Sequence, residues 1–186
     1  MQKLFEWRPD TQNRTETRLF AILSTLADTG LRINESLTIE LANIYWDDFL
    51  IFVLGKGKRA RFAPMSPELR KTLFQYIHKW RKTDVQTDLL FCTINGTKMS
   101  YHNLYRDSMK LMDKLGIKTK NFDGFFHTFR RFYAKMYMKK GGNLLYLQRA
   151  LGHSNITTTK SYVLVDTDDL KNTHAKTSPL ANLKKK

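Results

Sequence analysis

Arginine, histidine and tyrosine side chains recur in this 186-residue chain at spacings that would let a few of them act together. Arg32 opens a short helical stretch two residues after Gly30, so its guanidinium can be aimed from a helix start beside a tight turn. His127 and Arg130 stand three residues apart and so share one helical face. His153 follows a glycine stop at Gly152, and Tyr162 comes nine residues later. The segment Gly55-Lys56-Gly57-Lys58-Arg59-Ala60-Arg61 places four basic side chains in seven residues with no acid among them. A guanidinium is a planar fork of donors that fits phosphoryl oxygens, and a phenol of pKa ~10 becomes a useful nucleophile only when its proton is taken. Taken singly, each residue has an ordinary explanation. Arg32 reads as a surface or capping arginine, the basic segment as a solvated hairpin turn, His153 as a carbonyl cap, and Tyr162 as core or interface. The basic segment lacks the Gly-x-x-x-x-Gly-Lys-Ser/Thr spacing of a phosphate-cradling loop.

The elements that would hold these residues are mostly helical. From Thr17, Leu19, Phe20, Ile22, Leu23 and Leu26 fall at helical spacing and predict a buried helix stopped by Gly30. A short helix from Arg32 to Leu37 follows. Ile44–Trp46, Phe49–Leu54 and Arg59–Ala63 read as three short strands of an antiparallel sheet, separated by Asp47-Asp48 and by the glycine-rich basic turn. Ser66-Pro67 caps and opens a helix running to about Arg81. Leu89–Cys92 reads as an isolated strand, and Ser100 starts a helix closed by Gly116. Further helices are expected over His127–Lys140, Leu144–Leu151 and Thr158–Val163. The fold class is therefore mainly α with a small three-stranded antiparallel sheet. Residues 1–16 lack a period and read as a short extension, with no separate amino-terminal domain expected. Residues 166–186 read as a tail too sparse in apolar residues to build a core.

Composition sets the class of partner. Thirty-two Lys and Arg oppose 17 Asp and Glu, a formal net charge of +15, which points to a polyanion. With 12 Phe, 8 Tyr and 3 Trp the chain is too rich in core formers for a disordered basic tail. No apolar run is longer than a strand, so neither membrane insertion nor secretion is expected. One cysteine, Cys92, excludes a disulfide framework and any multi-cysteine metal site, and fits a reducing compartment such as the cytoplasm.

In this order the residues resemble the tyrosine recombinase family, the integrase-like and Xer-like enzymes that cut and rejoin DNA through a phosphotyrosine bond. Thr29-Gly30-Leu31-Arg32-Ile33-Asn34-Glu35 resembles the segment bearing that family's first arginine. Leu54-Gly55-Lys56-Gly57 is similar to its lysine hairpin, followed by a basic strand and Ala63-Pro64. His127-Thr128-Phe129-Arg130 is similar to its His-x-Leu-Arg element, and Leu151-Gly152-His153-Ser154-Asn155 with Thr157-Thr158-Thr159 and Tyr162 reproduces its ending. The likeness covers residues 17–165, the expected catalytic domain. Two departures are Arg131, where the family often has histidine, and Phe129 in place of leucine.

The resemblance implies a site-specific DNA recombinase, or integrase, that needs neither metal nor ATP and no other cofactor. Arg32 and Arg130 would stabilise the charge that grows on the phosphate, and Tyr162 would attack it. His127 would accept the tyrosine's proton, directly or through water, and Lys56, with Lys58 as runner-up, would protonate the departing 5′ oxygen. His153 would hydrogen-bond the scissile phosphate, and Glu35 would hold a basic neighbour. Lys58, Arg59, Arg61 and Arg131 would bind DNA. The implied partner is double-stranded DNA, engaged as a tetramer on two duplexes by a protein that is a monomer off DNA. Residues 166–186 would be passed to a neighbouring protomer. The rivals are a type IB topoisomerase-like nicking-closing enzyme, which usually lacks histidine at the position of His127, and a non-catalytic DNA-binding relative. The implied setting is a bacterial or archaeal cell or its mobile element.

Overall fold

The computed structural model describes residues 2–55, 60–81, 86–117 and 124–152. Helix α2 (Arg14–Thr29) is the central element, packing against helices α4 (Pro67–Gln75), α5 (Tyr101–Lys114) and α6 (Phe125–Lys139). Its start is set by Asn13, whose side chain accepts the Thr15 and Glu16 amides at 3.0 and 3.2 Å and satisfies two donors that the helix leaves open. Its end is Gly30, at φ +64°. Leu19, Ile22, Leu23 and Leu26 all point into the core, as their spacing predicts.

The sheet runs β1 (Ile44–Tyr45), β2 (Leu50–Leu54), β3 (Ala60–Pro64), in that order and antiparallel throughout. Alternation sorts its faces. Ile51, Val53 and Ala63 are buried, whereas Leu54 and Phe62 are exposed on the other side. The pairs Ile51↔Ala63 and Val53↔Arg61 therefore put Arg61 on the inward face. Ser66 caps α4 through the Leu69 amide at 3.1 Å, with Pro67 at the first helical position. The helix continues only as a π-helical turn over Tyr76–Trp80 and ends by Arg81. Ser100 and Asn143 cap α5 and α7 (Leu144–Leu151) in the same manner.

The observed architecture is the mainly helical one with a small antiparallel sheet that the sequence predicts. Two details differ, and two readings lie outside the described residues. Residues 2–6 form a short helix, α1 (Gln2–Glu6), and Leu4 and Trp7 enter the core, Trp7 meeting Phe20 edge-on at 5.7 Å. A five-residue helix is too short to show a period, so only the tertiary contact reveals it. The stretch Leu89–Cys92 forms two isolated bridges, Glu40↔Leu89 and Cys92↔Lys98, instead of a strand. The predicted helix over Thr158–Val163 and the tail 166–186 lie outside the described residues. Among the described residues no helix is long and apolar enough to cross a membrane.

Candidate active site

A short helix, α3 (Ile33–Ser36), begins immediately after Gly30-Leu31, with Arg32 as its cap residue in extended conformation. Glu35 sits one turn later and reaches back, accepting the Arg32 amide on Oε2 at 2.8 Å and the Arg32 Nη1 on Oε1 at 3.0 Å. The carboxylate is 5% exposed. From β3, Arg61 donates to it with both ends of its fork, Nη2 to Oε2 at 2.8 Å and Nη1 to Oε1 at 3.2 Å. Four donors thus converge on two oxygens. Burial works to raise the Glu35 pKa, but the hydrogen bonds from Arg61 and from the Arg32 backbone win, and the carboxyl sits below its ordinary value.

Arg130 is fixed from the other side. It lies on α6, one turn after His127, and is 2% exposed. Its Nη1 donates to the Gly30 carbonyl at 2.9 Å and its Nη2 to the Leu151 carbonyl at 2.5 Å. One buried guanidinium thereby ties the end of α2 to the end of α7 through charge-assisted bonds. Gly30 makes this closeness attainable: a Cβ there would lie 2.5 Å from Tyr133 Cδ1 and 2.9 Å from Leu151 Cδ2. Burial pushes the Tyr133 phenol up to about 12, which suits a packing residue and not a nucleophile.

Arg32 and Glu35 follow the end of α2 directly, and Arg130 bonds the carbonyls at the ends of α2 and α7. His127 stands at the start of α6 and is exposed, on the same helix as Arg130. Arg131, expected on DNA, is also exposed. Arg61 is placed differently from the expectation of a DNA-binding residue. Its side chain is 12% exposed, and its Nε donates to the Ala150 carbonyl at 3.1 Å, so all three nitrogens serve the protein's interior. The alternation of β3 carries that information, since Arg61 and the buried Ala63 are two residues apart. Lys56, Lys58, Arg59, His153 and Tyr162 lie outside the described residues. Among the described residues no group of three or more His, Cys, Asp or Glu is placed to hold a metal ion.

Arg32, 36% exposed and steadied by the buried Glu35 carboxylate, is suited to stabilising an oxyanion, with the buried charge of Arg130 behind it. Comparisons with known proteins bear on which one. Residues 2–168 match the model described as the phage integrase family. The chain is 30% identical over 173 residues to the tyrosine recombinase XerC of Chlamydia caviae, covering 92% of this chain and 54% of that protein. It is 27% identical over 176 residues to the tyrosine recombinase XerD of Vibrio cholerae, covering 93% and 58%. The chain spans about half the length of the curated relatives it matches. Among solved structures, the crystal structure of XerA recombinase superposes with a TM-score of 0.73 at 26% identity, covering 96% of this chain and 61% of that one. The XerH recombinase bound to its difH substrate has the same fold, with a TM-score of 0.73 at 21% identity over 94% of this chain and 50% of that one.

Proposed function

The chain belongs to the phage integrase family, and on that premise we propose that it is a site-specific DNA recombinase, cutting and rejoining strands through a 3′-phosphotyrosine bond. The observation that carries the reading is the joint placement of Arg32 and Arg130, one held by Glu35 and the other by the Gly30 and Leu151 carbonyls. Binding to DNA alone needs positive charge on a surface. It does not need an arginine fixed in the interior by two backbone oxygens.

A phosphodiester resists attack because its anionic oxygens repel a nucleophile, and further negative charge develops in the five-coordinate transition state. Arg32, with 36% of its side chain exposed, donates to it, and Arg130 adds the positive charge it holds in the interior; a donor lost from such a site costs roughly 3 kcal/mol. Tyr162 is the nucleophile, and its oxygen forms the new bond to phosphorus while the bond to the 5′ oxygen breaks. His127, exposed at the start of α6, accepts the phenolic proton directly or through water. Lys56 gives a proton to the departing 5′ oxygen, and His153 hydrogen-bonds the phosphate. The bond energy is retained in the phosphotyrosine, so a 5′ hydroxyl from a second duplex reseals the strand without ATP. Four such cuts on two duplexes require four protomers, and the tail 166–186 is the segment offered to a neighbour. Double-stranded DNA as the partner agrees with the net charge of +15.

The test is exchange between two duplexes carrying sequences selected for binding from a randomised pool, with no added nucleotide. Recombinant joints are expected. Relaxation of supercoiled plasmid without any exchange would replace this reading with a nicking-closing enzyme.

A further inference from the structure

Among the described residues, Arg61 of the hairpin segment has partners for all three of its nitrogens, the buried Glu35 and the half-buried Ala150. Its fork grips both oxygens of Glu35, at 2.8 and 3.2 Å, and its Nε holds the Ala150 carbonyl at 3.1 Å. Ala150 is in the last turn of α7, next to the Leu151 whose carbonyl holds Arg130. The guanidinium packs closely on Gly152, where a Cβ would lie 3.1 Å from Arg61 Nη1 and 3.2 Å from its Cζ. β3 pairs Arg61 with Val53 on the strand leading into the hairpin, so the base of that hairpin is anchored on the same carboxylate that holds Arg32. Arg32 itself keeps 36% of its side chain exposed, with Nη1 on Glu35.

We infer that Arg61 is a positioning residue for strand cleavage, fixing Glu35 so that Arg32 is held toward the phosphate, and that it does not contact DNA. This rests on the recombinase reading. A guanidinium is required because three acceptors in different directions must be met at once, which an ammonium on a flexible stem does not do. Without Arg61 the Glu35 carboxylate turns within its pocket and carries Arg32 with it, and displacements of about 1 Å cost on the order of 100-fold in rate.

The experiment measures single-turnover cleavage of nicked suicide duplexes, built on sequences selected for binding, alongside DNA affinity. Arg61→Met should cleave about 100-fold more slowly than wild type while affinity stays within about threefold. Arg61→Lys, keeping the charge but only one nitrogen, should fall between the two. On a substrate whose bridging 5′ oxygen is replaced by sulfur, a leaving group that needs no proton, the Arg61→Met defect should persist while a Lys56→Ala defect is rescued. Rescue of Arg61→Met by sulfur would mean that it acts through the hairpin lysine, and would overturn the inference. So would cleavage within threefold of wild type, or an affinity loss as large as the rate loss. If Arg61→Met fails to fold, Glu35→Gln combined with Arg61→Met removes both charges, and it should cleave no worse than Glu35→Gln alone. A further 100-fold loss in the double variant contradicts action through Glu35. Absence of any wild-type adduct would count against the recombinase reading; a wild-type adduct with unaffected Arg61→Met counts against the role of Arg61 alone.

Discussion

Gly30→Ala should destabilise the protein by about 3 kcal/mol, because two costs fall on one methyl group. The residue sits at φ +64°, where a side chain meets its own backbone at a cost of about 1 kcal/mol. The added Cβ would also lie 2.5 Å from Tyr133 Cδ1 and 2.9 Å from Leu151 Cδ2, contacts too short to exist without movement, and overpacking of this kind costs roughly 1–3 kcal/mol. In a chain of 186 residues about 3 kcal/mol lowers the melting temperature by roughly 6–12 °C. Urea unfolding measures the free energy directly, and a double-mutant cycle apportions it. In a Tyr133→Ala background the ring is gone, so the cost of Gly30→Ala should fall to about 1–2 kcal/mol, the left-handed strain plus the residual Leu151 contact. A cost within about 0.5 kcal/mol in wild type, or one unchanged by Tyr133→Ala, would refute the close packing of α2, α6 and α7 from which Arg130 reaches the Gly30 and Leu151 carbonyls.

Glu35→Gln leaves Arg61 without its buried counter-charge and should cost about 3 kcal/mol near neutral pH. Because the folded Glu35 pKa lies below its ordinary 4.5, its stabilisation is complete above that value and is lost as pH falls through the lowered one. The gap between wild type and Glu35→Gln, read by urea unfolding at each pH, should therefore narrow below about pH 4.5. A gap independent of pH would mean that the carboxylate's charge is not what matters. DNA affinity should fall steeply with salt, with log K declining at a slope near −5 against log salt if ~6 phosphates are neutralised. Fluorescence anisotropy at several salt concentrations gives the slope, and a flat dependence would remove phosphate contacts as the source of affinity.

The sequence is most legible where a pattern is local. Apolar spacing marks α2, and Ser66-Pro67 marks the start of α4, because caps and periods act within a few residues. The start of α2 lies at Arg14, three residues before Thr17, since Asn13 caps it ahead of the apolar stripe. Trp7 belongs to the core through Phe20, a contact that nothing within residues 1–16 announces. Arg32, Glu35 and Arg130 are recognisable from their motifs, but what holds Arg130 is not: two carbonyl oxygens, 100 and 21 residues away, are backbone groups without a sequence signature. Arg61 is the instructive residue. Its basic neighbours draw attention to charge and hence to DNA, whereas the two-residue alternation with Ala63 shows the face it occupies.

The central claim is that Tyr162 forms the covalent bond to DNA. The most direct measurement is to trap the chain on a nicked suicide duplex carrying a selected binding sequence, digest the adduct, and map the attached nucleotide by mass spectrometry. The account predicts a 3′-phosphotyrosine at Tyr162, formed by wild type and absent from a Tyr162→Phe variant that still binds the duplex. An adduct that survives Tyr162→Phe, or one mapped to another residue, would contradict it.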